Sequence, residues 1–143
     1  MMADRTAHVS WRGTLFEGEG TIDSVGSGAF GPLDVTWASR VEDPNGRTSP
    51  EELIAAAHAS CFSMTLSNRL AKAGTPADLL ETSATVTFVP GTGITKVALT
   101  VRGTVPGLDA PGFAEEALAA KENCPVSKAL AAVPEITLDA ALA

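Results

Sequence analysis

Basic side chains are few: ten Lys and Arg stand against 17 Asp and Glu, a net charge of −7. No run of basic residues occurs, so nucleic acid and anionic membrane are not expected partners, since both need a basic footprint. No apolar stretch reaches the length of a membrane span. The longest apolar segment, Leu53 to Leu70, is broken by His58, Ser60, Ser63, Ser67, Asn68 and Arg69. The opening Met-Met-Ala-Asp-Arg-Thr-Ala-His has no apolar leader core, so a cytoplasmic location is expected. Cysteine is confined to Cys61 and Cys124. In a reducing compartment a permanent disulfide is not expected, which leaves small buried side chains, a metal pair or a redox pair. No Gly-x-Ser-x-Gly elbow, phosphate loop or dinucleotide fingerprint is present.

What is present suits one globular domain over residues 1–143: 45% of the residues are hydrophobic and 19% charged, enough for a core and too apolar for disorder. Residues 7–25 alternate and read as a β-hairpin. Leu33 to Val41 reads as a third strand with Val35, Trp37 and Ser39 on one face, and Glu42 to Thr48 is turn chemistry. Ser49-Pro50-Glu51-Glu52 places serine at an N-cap, proline at the first helical position and glutamate at the third, a capping box. Apolar or small residues at 53/54, 57, 61/62, 65/66 and 70 continue it as a helix to about Ala73, closed by Gly74 and Pro76. Its alanines (Ala55, Ala56, Ala57, Ala59) would let another backbone approach closely, so a buried, central helix is expected. Strands are predicted at Leu79–Val89 and Ile94–Val105, joined by Pro90-Gly91-Thr92-Gly93. Helices follow at Pro111–Glu122 and Pro125–Ala132, then a strand at Glu135–Leu142. This order is α+β, without regular βαβ alternation.

The two cysteines differ in setting. Cys61 lies about three turns into the long helix, beyond the reach of that helix's N-terminal dipole. A reactive thiolate there needs another source of stabilisation, usually an arginine. Asn123-Cys124-Pro125 places Cys124 at a helix N-cap, where free backbone N–H groups would favour a thiolate. The plainest reading of either cysteine is packing. Zinc is an alternative: His58 shares a helical face with Cys61, and Cys124 and His8 would complete four ligands, but no paired ligand spacing supports it.

Thr48-Ser49-Pro50-Glu51-Glu52-Leu53-Ile54-Ala55-Ala56-Ala57-His58-Ala59-Ser60-Cys61-Phe62-Ser63-Met64 closely resembles the signature helix of OsmC-type proteins in the OsmC/Ohr hydroperoxide-reductase superfamily. Asn123-Cys124-Pro125-Val126-Ser127-Lys128-Ala129-Leu130 resembles the second motif of that family. The cysteine spacing, the opening Ala7-His8-Val9-Ser10-Trp11 and the last strand agree, so the resemblance covers nearly the whole chain. It implies antiparallel sheets wrapped around a long central helix, in an intertwined homodimer with sites at the interface. It also implies a thiol peroxidase without haem, metal or flavin, acting on organic hydroperoxides, less well on hydrogen peroxide, in oxidative or osmotic stress defence. Cys61 would attack the peroxide and Cys124 would resolve the sulfenic acid as a disulfide. An external dithiol, such as a lipoylated carrier protein, would reduce it.

Glu51 occupies the family's glutamate position. Organic-hydroperoxide-resistance members carry their arginine in the first hairpin, where this chain has Leu15-Phe16-Glu17. OsmC members carry it on the strand before the capping box, where Arg40 stands. The Arg40–Glu51 loop is about one residue longer than that pattern, which leaves Arg47 as a rival. Glu51 and Cys61 are ten residues apart, about 15 Å along a helix axis. The glutamate near a given Cys61 therefore comes from a second chain, or acts only through a long arginine. Phe62, Met64, Leu66, Trp37 and Phe113 are candidate apolar walls for an organic peroxide, or ordinary core. Two other readings stay open: a non-catalytic binding or structural dimer on the same fold, and the zinc protein.

Overall fold

The long helix begins and ends where its caps place it. In the computed structural model, which describes residues 1–143, α2 spans Pro50–Lys72; the shorter α1 precedes it at Trp37–Val41. Ser49 Oγ accepts from the Glu52 amide at 3.1 Å. The Glu52 carboxylate is engaged by the Thr48 hydroxyl at 2.9 Å, so only the serine half of the capping box forms as read. At the other end Gly74 takes φ +85°, and the amides of Thr75 and Gly74 donate to the carbonyls of Leu70 and Ala71. That pair of bonds is a Schellman closure, and glycine suits its left-handed residue.

The chain forms two units, Met1–Leu53 and Ile54–Ala143, and α2 passes from one into the other. In the first, β1 (Ala7–Arg12), β2 (Glu19–Val25) and β3 (Leu33–Val35) form an antiparallel sheet in that order. The strand read over Leu33 to Val41 is corrected: it stops at Val35, and Trp37, Ser39 and Arg40 lie on α1. The cause is local. Thr36 Oγ1 accepts from the Ser39 amide and Ser39 Oγ accepts from the Thr36 amide, each at 3.0 Å. This reciprocal cap turns the backbone out of the sheet.

In the second unit, β4 (Leu79–Val89) and β5 (Gly93–Thr104) form the hairpin, and β6 (Glu135–Leu142) lies on the other side of β5. The β5–β6 pairing is parallel, so the chain crosses over through α3 (Ala110–Asn123) and α4 (Pro125–Ala129). The sheet is therefore mixed, although the expectation was antiparallel strands only. β5 is central and buries Val97, Leu99 and Val101 against Phe62, Leu66 and Leu70 of α2 and Phe113, Ala117 and Ala120 of α3. Gly103 permits the closest approach: a Cβ there would lie 2.5 Å from Cε1 of Phe113.

The buried stripe of α2 in this unit runs 58, 62, 66, 70. It contains His58 where the pattern had Ala57, which is exposed along with Ala56 and Ser60. No helix is long and apolar enough to cross a membrane.

Candidate functional site: a thiol pair and an ion pair

Cys61 sits on α2 and Cys124 at the junction of two helices. Cys124 caps the C-terminus of α3, its amide donating to Ala120, and begins α4, its carbonyl accepting from Lys128. It also extends the buried face of α3, following Phe113, Ala117 and Ala120 at helical spacing, and is itself fully buried. Both thiols are free, and the two side chains are close neighbours.

Cys124 is the N-cap of α4, as the sequence predicts, but the thiolate stabilisation expected there needs a correction. Its side chain makes no capping bond to α4. The Val126 N–H in the first turn of α4 lies near Cys61 instead and favours its thiolate. The thiol that this turn favours is thus the one the sequence placed far from its own helix N-terminus, because the N–H belongs to a different helix. Thr65, one turn further along α2, also lies near Cys61. Burial, and then the bond to Cys124, push the Cys61 thiol above its ordinary value, while Val126 and Thr65 pull it down.

In the first unit Arg40 and Glu51 form the ion pair the sequence pointed to. Arg40 Nη2 and Nε lie 2.7 and 3.0 Å from Glu51 Oε1, and Nε lies 3.1 Å from Oε2. The Glu51 side chain is only 8% exposed and that of Arg40 28%, so a forked, charge-assisted contact is held largely out of water. Glu51 is in the first turn of α2, where the helix dipole favours a carboxylate. Arg47 lies elsewhere, beside a polar cavity of about 270 Å³ with Arg12, Glu19, Asp34 and Thr36.

The four zinc candidates do not form one group. His8 Nδ1 is 2.7 Å from Asp23 Oδ2, and His58 Nε2 is 2.7 Å from Ser127 Oγ. No three His, Cys, Asp or Glu side chains are placed to hold a metal ion. Of the candidate apolar walls, Phe62, Leu66 and Phe113 are core, Met64 is exposed, and Trp37 packs edge-on against Phe16 at 5.6 Å. Thr65, Val126, Ser127 and the role of His58 escaped sequence reasoning. Only Thr65, at helical spacing from Cys61, carried a local signal.

An α+β chain that sets a mid-helix thiol against a second thiol at a helix junction is a two-cysteine thiol protein. Comparison with known proteins narrows this. The family model described as OsmC-like protein matches residues 43–139, and the chain belongs to that family. It is 42% identical over 142 residues to the curated peroxiredoxin OsmC of Escherichia coli, covering 97% of this chain and 96% of that one. Among solved structures, the organic hydroperoxide resistance protein OhrB of Bacillus subtilis is 26% identical with a TM-score of 0.65, over 96% of this chain and 98% of that one. An organic hydroperoxide resistance protein from Elizabethkingia anophelis, 20% identical with a TM-score of 0.71 over the full length of both chains, shares the fold.

Proposed function

We propose that the chain is a cysteine-based thiol peroxidase that reduces organic hydroperoxides. The observation that carries this reading is the proximity of two free thiols, Cys61 and Cys124. The Cys61 thiolate attacks the terminal peroxide oxygen, the O–O bond breaks, and the alkoxide leaves and takes up a proton. Cys61 is left as a sulfenic acid. The Cys124 sulfur then attacks Cys61 Sγ, forming the Cys61–Cys124 disulfide and releasing water. An external dithiol, such as a lipoylated carrier protein, returns the pair to thiols.

Within one chain burial favours the Cys61 thiol over the thiolate, so the reaction needs a cation near it. We assign that part to Arg40, held by Glu51. The guanidinium stabilises the thiolate and donates to the peroxide as charge moves onto oxygen. Ten residues of helix between Glu51 and Cys61 exceed the reach of a side chain, which supports delivery of the pair by a second chain. The exposed apolar side chains Val9, Trp11 and Phe16 of one unit, and Met64 and Leu79 of the other, support a homodimer that covers them. The family match crosses the boundary between the units, which supports reading residues 1–143 as one domain. The cytoplasm suits a pair that must be re-reduced after each turnover.

The test is intact and peptide mass analysis after one equivalent of an organic hydroperoxide. Loss of two hydrogens, mapped to Cys61 linked to Cys124, is the expected result. Two unoxidised thiols beside intact peroxide would overturn the proposal.

A further inference from the structure

Two buried polar side chains take no part in the chemistry above. His58 is fully buried and Ser127 is 8% exposed, and their Nε2 and Oγ atoms share a 2.7 Å hydrogen bond across 69 residues of sequence. His58 is three residues before Cys61, one turn away on the same face of α2. Ser127 is three residues after Cys124 and directly follows Val126. The His58–Ser127 bond therefore ties α2 to the first turn of α4, beside the neighbouring thiols of Cys61 and Cys124.

His58 is a poor choice if its task is packing. Its Nδ1 is buried with no partner, and burial pushes the ring below its ordinary pKa and so toward the neutral form. A leucine in the 58, 62, 66, 70 stripe would pack without leaving a bare nitrogen. What histidine adds is direction. At five residues α4 is too short to hold its own orientation. Val126 and Leu130 rest on the core, but apolar contact does not fix an angle. The bond from Ser127 to His58 does.

We propose that His58 is a positioning residue for the thiol pair: through Ser127 it fixes the first turn of α4 on α2, holding Cys124 within reach of Cys61 Sγ. The inference rests on reading Cys61 and Cys124 as a redox pair.

The test uses the full chain and oxidised glutathione, which reports sulfur placement without peroxide. The Cys61 thiolate attacks glutathione disulfide, giving a Cys61–glutathione mixed disulfide and one glutathione thiolate. The Cys124 thiolate then attacks Cys61 Sγ, the Cys61–Cys124 bond forms, and the second glutathione leaves as thiolate. The second step is timed by acid quenching and mass analysis. Ser127→Ala and His58→Phe should close about tenfold more slowly, the worth of one hydrogen bond. His58→Gln, whose amide can reach Ser127, should stay within about twofold of the wild type.

Wild-type closure rates in Ser127→Ala and His58→Phe, with only a lower melting temperature, would overturn the proposal. So would a His58→Gln protein as slow as His58→Phe. Ser127→Ala removes one hydroxyl and carries the test alone if His58→Phe does not fold. A wild type that stops at the mixed disulfide would overturn the redox-pair reading and this inference with it. A wild type that closes but reduces no hydroperoxide would overturn the peroxidase reading and leave this one standing.

Discussion

The Arg40–Glu51 pair lends itself to a quantitative test. Arg40→Met keeps much of the side-chain stem and removes the guanidinium. It leaves the Glu51 carboxylate, only 8% exposed in its side chain, without the three contacts of 2.7 to 3.1 Å that satisfy it. Removing one partner of a fully buried pair costs about 3–5 kcal/mol. Arg40 is 28% exposed, so water reaches part of the pair, and a loss of about 2–3 kcal/mol is expected after that discount. For a chain of this length each kcal/mol moves the melting temperature by roughly 3–5 °C, which predicts a fall of about 6–15 °C. Adding Glu51→Met removes the stranded charge and should bring stability back to within about 1 kcal/mol of the wild type. The assay is thermal and urea unfolding of all four proteins of the cycle at one fixed concentration, because a dimer melts at a concentration-dependent temperature. Peroxide turnover is measured on the same samples. Stability should recover in the double variant while turnover stays down about 100-fold, since the donor to the peroxide is still missing. A coupling energy near zero, with Arg40→Met as stable as the wild type, would refute the reasoning on the pair. Loss of turnover in Arg47→Ala in place of Arg40→Met would move the catalytic arginine.

Other measurements test separate parts of the account. Cys124→Ser should consume one equivalent of organic hydroperoxide and stop with Cys61 as a sulfenic acid detectable by mass; no reaction at all would make Cys124 the attacking thiol. His58 is pushed below 6.5 in the folded chain by burial. Its neutral form therefore contributes stability that is present above about pH 6.5 and lost as the pH falls, by at most about 1.4 kcal/mol per pH unit. Urea titrations from pH 7.5 to 5 should show that slope and His58→Gln should flatten it; equal slopes would dismiss the buried-imidazole argument. Cys61 is pushed above 9.0, so its contribution is present below about pH 9 and lost as the pH rises, and Cys61→Ala should weaken the alkaline loss. Gly103→Ala would place a Cβ 2.5 Å from the Phe113 ring and should cost about 1–3 kcal/mol by overpacking; a neutral result would mean that the ring moves freely.

The parts of the fold legible in the sequence were those written in local pattern. α2 announced itself through Ser49, Pro50 and Gly74, and β4 and β6 matched their predicted spans because alternation and turn residues lie within them. α1 was missed because a single turn leaves no periodicity, only the Thr36–Ser39 cap, inside a segment that began as a strand. The parallel partner of β6 was hidden because pairing depends on where α3 and α4 return the chain. At the site, residue types were legible and contacts were not. Arg40 and Glu51 are eleven residues apart and were paired from family pattern. His58 and Ser127 are 69 apart, and nothing local to either marks the other. Val126 was invisible for a further reason: it contributes a backbone N–H, which any residue but proline could supply.

Cys124 belongs to two helices at once, its amide closing the last turn of α3 and its carbonyl opening the first turn of α4. A disulfide to Cys61 would pull on both turns at once. On the redox-pair proposal, oxidation would register in the backbone, at two amides with known addresses. Hydrogen exchange at Cys124 and Lys128 would read out oxidation without touching either thiol. The joint that shapes the site would then double as a gauge of its state.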